Sequence, residues 1–165
     1  MTLRGSKPVT WLGFSVRLVA AGVWIVAGAV KIPQIQTFQV LIQKYGILPD
    51  ALTAPFAYIL PFFELALGLY LAMGLFVWGT ALLGTVFFAV FLVAQASAWM
   101  RGISLDCGCF GALIQTTVGP LTFLRDFGLG IPTFLMLAFP SRTFSLDHRL
   151  FGAKNLFGGP LRRTE

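Results

Sequence analysis

Hydrophobic residues in this chain gather into four long runs, at 11–32, 55–76, 78–100 and 118–139. Each is long enough to cross the ~30 Å hydrocarbon core of a bilayer, which takes roughly 20 residues of α-helix. Only Val77 separates the second run from the third. A tight turn around Val77 must therefore join them, which predicts an antiparallel hairpin. Between the first and second runs the pattern becomes amphipathic. Ile35, Phe38, Leu41, Ile42 and Tyr45 recur at helical spacing, while Gln34, Gln36, Gln39, Gln43 and Lys44 fill much of the other face. A short amphipathic helix is expected there, on the membrane surface or over the mouth of the bundle, ended by Gly46 and Pro49. The predicted fold is thus an all-α membrane protein. Residues 1–140 form an antiparallel four-helix transmembrane bundle with a short amphipathic helix in its first outer loop, and residues 141–165 form a basic tail.

Composition supports the bilayer as solvent. The chain of 165 residues is 57% hydrophobic and only 11% charged, against about 25% charged in soluble domains. Its mean hydropathy is +0.84. The net charge of +6 is not laid out as a basic stripe with interleaved aromatics, so a nucleic-acid partner is not expected. The basic residues instead indicate topology, because Lys and Arg favour the cytoplasmic flanks. Arg4, Lys7, Arg142, Arg149, Lys154, Arg162 and Arg163 flank the two termini, against Lys31, Lys44 and Arg101 on the other side. Both termini are expected in the cytoplasm of a multi-pass plasma-membrane protein. Arg4 and Lys7 before an apolar run, with Ala27-Gly28-Ala29 resembling a cleavage site, also fit a signal peptide. Arg17 interrupts that run, and a retained span is the expectation.

The only two cysteines, Cys107 and Cys109, are one residue apart, between the third and fourth runs. The topology puts them on the outer face, where disulfides persist. A bridge between them closes a small strained ring, and strained bonds are the more reducible ones. It encloses almost no chain, so it adds little loop-entropy stability. The pair therefore reads as a thiol–disulfide exchange unit rather than a structural staple. A closed zinc site needs four ligands, and the single histidine, His148, falls on the opposite side. A two-thiolate Cu(I) site is the remaining metal alternative.

Glu64, Arg125 and Asp126 lie inside predicted spans, where ionisable groups are costly, face the bundle interior and find partners. Glu64 is nine residues past Pro55 and Arg125 seven past Val118. At about 1.5 Å per residue the two lie at nearly the same depth, which predicts a Glu64–Arg125 ion pair. That pair either pins two helices together or forms part of a polar pocket beneath the cysteines, able to pass a proton or hold a quinone head group. Lys31 ends the first run; it either snorkels or leans toward the cysteine loop. Arg17 is expected to snorkel to the interface. Gly68 and Gly84 permit close helix approach.

These residues together resemble a known family. Cys107-Gly108-Cys109-Phe110-Gly111 follows the third run, and Arg125-Asp126 lies just inside the fourth. Lys31 ends the first, Tyr45-Gly46-Ile47-Leu48-Pro49 precedes the second, and Pro61 and Glu64 lie within it. Residues 16–140 resemble MauE-type proteins of the broader DoxX-like membrane superfamily. The resemblance implies a four-helix membrane bundle. It also implies a role in maturing a disulfide-rich dehydrogenase with a thioredoxin-like extracytoplasmic partner. Other DoxX-like proteins imply instead a non-catalytic subunit that anchors or stabilises a larger membrane complex. Two functions follow for the residues named: a redox relay through Cys107 and Cys109 supported by Glu64, Arg125, Asp126 and Lys31, or a scaffold.

Overall fold

A computed structural model of the chain describes residues 7–103 and 117–138. Cys107, Cys109 and the tail at 141–165 lie outside the described residues. Every regular element described is helical. Helix α1 spans Lys7–Lys31, a short 3-10 turn follows at Ile32–Gln34, and α2 spans Ile35–Tyr45. Helices α3, α4 and α5 span Asp50–Met73, Val77–Met100 and Pro120–Ala138.

Three stretches are long and apolar enough to cross a membrane: Trp11–Tyr45, Asp50–Met73 and Val77–Met100. The shorter α5, with 19 residues, is not among them. It packs nonetheless against α4 and α1.

Local sequence explains where the elements stop. Pro33 cannot donate to the turn behind it, so α1 gives way to the 3-10 turn before α2. Helix α2 ends where Gly46 turns left-handed, at φ 61°. Helix α3 starts at Asp50, five residues before the apolar run, because an acidic first turn suits the helix dipole. It closes at Gly74, also left-handed. There the Gly74 N–H donates to Leu71 O at 3.1 Å and the Leu75 N–H to Tyr70 O at 3.0 Å, a Schellman ending. The turn between α3 and α4 therefore occupies residues 74–76, and Val77 is already helical.

The buried face of α1 carries Arg17, Ala20, Ala21, Trp24, Ala27, Gly28 and Lys31, the spacing of one helical stripe. It packs chiefly on α3, whose buried stripe includes Ala57, Pro61, Glu64, Leu67, Gly68 and Leu71. Two glycines allow this approach. A Cβ at Gly28 would come within 2.5 Å of Pro61 O, and one at Gly68 within 2.7 Å of Ile25 N. Gly68 thus acts as the sequence suggests, and Gly28 is a packing residue too. Sequence neighbours α3 and α4 touch less than α1 and α3 do, and α4 packs chiefly on α5.

Helix α2 lies across the end at which α4 stops and α5 starts. Its Leu41 and Tyr45 pack against Ala98 and Val118. Arg101 fastens this end: its guanidinium donates to Tyr45 O, and its Nε to Ser97 O at 3.2 Å. A cation on the last carbonyls of α2 also complements the helix dipole.

Arg17 does not snorkel. It is 1% exposed, with its guanidinium carbon 5.3 Å from the Phe14 ring centroid. Its place on the interior stripe of α1 outweighs the pull of the interface.

Candidate functional site

Four charged residues inside the helices, Lys31, Glu64, Arg125 and Asp126, gather with Gln95 in a polar layer contributed by four helices. Lys31, in the last turn of α1, is drawn inward rather than toward solvent. Its ammonium donates to both carboxylate oxygens of Glu64 on α3, at 2.6 and 2.7 Å. Lys31 and Glu64 are only 4% and 5% exposed. The Phe38 ring centroid lies 5.4 Å from the same ammonium.

The expected Glu64–Arg125 pair is not formed. Depth along a helix gives a height but no direction around the axis, and Glu64 faces α1 because Gly28 and Gly68 hold those two helices together. Arg125 instead pairs with its own neighbour. Its Nε donates to Asp126 Oδ1 at 2.9 Å. Adjacent helical positions are about 100° apart, so one of the two must turn from the interior. Asp126 takes the interior, at 1% exposed, and the Arg125 side chain stays partly open.

Asp126 also accepts a hydrogen bond from Gln95 Nε2 on α4, at 3.0 Å. A small cavity of about 40 Å³ lies between the two halves of the layer, with Lys31, Glu64 and Asp126 in its lining. Trp24, Phe87, Phe88 and Phe91 supply much of the remaining wall. Phe88 meets Trp24 edge-on, and Trp24 Nε1 donates to Thr133 Oγ1 at 3.1 Å. Such apolar walls lower the local dielectric and strengthen every charge interaction inside.

The cavity can accept bound water, which needs about 10–15 Å³ of such space per molecule and polar partners. The layer therefore offers paired charges around a space that admits water.

The sequence picked out Lys31, Glu64 and Asp126, and the structure brings them to one cavity. Arg125 joins through its ion pair with Asp126. Gln95 was missed, although a lone glutamine in the apolar run 78–100 was a visible signal. Tyr45 was read as part of the amphipathic pattern and of the motif Tyr45-Gly46-Ile47-Leu48-Pro49, without a place beside the polar residues. It is buried against Ala98 and Val118.

The family model of methylamine utilisation protein MauE matches residues 9–139, which is most of the chain. The chain belongs to the MauE family. A relative, the methylamine utilization protein MauE of Paracoccus denitrificans, is 27% identical over 134 residues. That match covers 78% of this chain and 72% of the relative. No solved structure matches the chain. Family and apolar helices together make this MauE-family chain a multi-pass membrane protein, and the polar layer lies within its matched region.

Proposed function

We propose that this protein is a membrane thiol–disulfide relay in which Cys107 and Cys109 act as one redox unit on the outer face. Its partner is a thioredoxin-like extracytoplasmic protein, and its client is a disulfide-rich protein of methylamine utilisation. The link to methylamine comes from the relative's name and the family's. The chemistry comes from the two cysteines, spaced so that their sulfurs can act together.

One observation carries the reading beyond the spacing. The described ends of the cysteine segment are both fastened at the end of the bundle nearest the polar layer. On one side the Ile103 N–H donates to Ala98 O at 3.1 Å. On the other, Val118 packs on the same Ala98 and on Tyr45. Gln95 and Asp126 lie further along these same two helices.

Four spans complete the proposal. Helix α5 is about 28 Å long at 1.5 Å per residue, close to the hydrocarbon thickness. Its two charges compensate each other, and Gln95 adds a partner, which lowers the cost of placing them in lipid.

The test replaces each cysteine by serine, singly and together, and measures client maturation in cells. Each single change should abolish function, and the double change should be no worse, as for groups that act as a unit. A single-cysteine variant should trap a mixed disulfide with the partner, since exchange passes through that intermediate. Full function in the double variant overturns the relay and leaves a non-catalytic membrane subunit.

A further inference from the structure

The polar layer is divided by a seam. Lys31 and Glu64 join α1 to α3, and the bond from Gln95 to Asp126 joins α4 to α5. The cavity of about 40 Å³ lies at that seam, with Lys31, Glu64 and Asp126 all in its lining. Trp24 forms part of the wall, but its N–H is committed to Thr133. Phe87, Phe88 and Phe91 offer rings alone. The side chains that can hydrogen-bond an occupant are therefore the three charged ones.

Their bonding capacity is not used up by the ion pair. An ammonium has three N–H donors and a carboxylate about four acceptor sites. Lys31 gives one bond to each Glu64 oxygen, which leaves a further donor on Lys31 and further lone pairs on Glu64. Buried ions need such remaining positions filled before their attraction offsets the loss of water.

Charge and size select the occupant. Lys31 and Arg125 balance Glu64 and Asp126, so the layer is already neutral. An added ion would leave net charge among apolar helices, which is costly. A small neutral molecule that both donates and accepts carries no such cost. One water needs about 10–15 Å³, and the cavity exceeds that. Cavities that stay empty are apolar ones, whereas this one has three charged groups on its surface. An empty space would also forfeit contacts along every wall.

We propose that this cavity is an internal water site, in which ordered water accepts a hydrogen bond from the Lys31 ammonium and donates to the Glu64 and Asp126 carboxylates. Water-mediated bonds of this kind are nearly as good as direct ones. The site ties the α1–α3 pair to the α4–α5 pair, and a change at Asp126 reaches Lys31 through hydrogen bonds. It is independent of the relay, since no cysteine takes part.

The experiment uses the full chain in lipid bilayers, isotope-labelled at lysine nitrogen. Solid-state NMR reads magnetisation transfer from water to each lysine ammonium, and Lys31→Arg identifies the Lys31 signal by its loss. In the wild type that signal should receive transfer from water. Ala27→Val adds two carbons at the cavity wall and should remove most of the transfer. If Ala27→Val does not fold, Val23→Leu fills the same cavity from the neighbouring turn. Asp126→Asn should move the Lys31 nitrogen resonance in the wild-type background and leave it in place in the filled one. The wild-type transfer needs no variant beyond the assignment: its absence means a dry cavity and overturns the site. Unchanged transfer in the filled variant means that water reaches Lys31 from elsewhere, and overturns the site as well. A resonance that Asp126→Asn moves equally in both backgrounds means that Asp126 acts through its field alone, and overturns the bridge.

Discussion

Lys31 and Glu64 are sequestered from water, and each has the other as its charge partner. Breaking a buried pair leaves one charge uncompensated. Glu64→Gln or Lys31→Met should therefore cost about 3 kcal/mol, the lower end seen for buried pairs in soluble proteins. The lower end is expected because unfolded helices in a bilayer find other partners. The double variant combining Lys31→Met with Glu64→Gln completes the cycle. Measured in bicelles, that double-mutant cycle should show coupling of about 1 kcal/mol or more between positions 31 and 64. The cycle between Glu64 and Arg125 should be additive. Coupling of Glu64 to Arg125 and none to Lys31 would reverse the pairing described. The sequence made Glu64 and Lys31 conspicuous, because a charge in an apolar run stands out. It did not say which way each points around its helix.

Among elements, the contact between α1 and α3 brings those charges together. Gly28 meets backbone atoms of α3, Pro61 O and Leu65 N, closer than any Cβ could. Backbone cannot rotate away as a side chain can. Gly28→Ala should destabilise by about 1–3 kcal/mol, as overpacking does, and should loosen the Lys31–Glu64 pair with it. Gly22 on the same helix has nothing within 4 Å of a built Cβ. Gly22→Ala should be neutral, or stabilise by up to about 1 kcal/mol through helix propensity. Equal effects at the two positions, read by thermal unfolding in detergent, would refute this account of the crossing. Helix α2 depends on a different fastening. Arg101→Ala removes the cation on its last carbonyls, so hydrogen exchange should accelerate in the last turn of α2 before any change in α3. The periodicity of 35–45 revealed α2 from sequence. The arginine that secures it lies 56 positions further on from Tyr45 and carried no local signal.

For the whole molecule the number of crossings decides which ends share a side. With α5 as the proposed fourth span, Lys44 and the cysteines share one side and both termini the other, and the basic termini make the inner side the expected one for them. A membrane-impermeant thiol reagent on intact cells should label Lys44→Cys in a background lacking the native cysteines. Thr2→Cys and Thr164→Cys should label only after lysis. Labelling of Thr164→Cys in intact cells, with Thr2→Cys protected, would mean an odd number of crossings and remove α5 as a span.

Sequence by itself determined the membrane class and the helical elements. Length and hydropathy decide what can cross a bilayer, and the start of α4 differs from its run by a single residue. It also marked Gly46 as the end of α2, because left-handed backbone falls to glycine. Tertiary structure decided the partners. Facing depends on rotation about each helix axis, and that rotation is set by which surfaces fit: Gly28 against Pro61 and Leu65, Gly68 against Ile25, Asp126 toward Gln95. A one-dimensional pattern records depth and period, whereas the pairing of Lys31 with Glu64 arises only when two stripes meet.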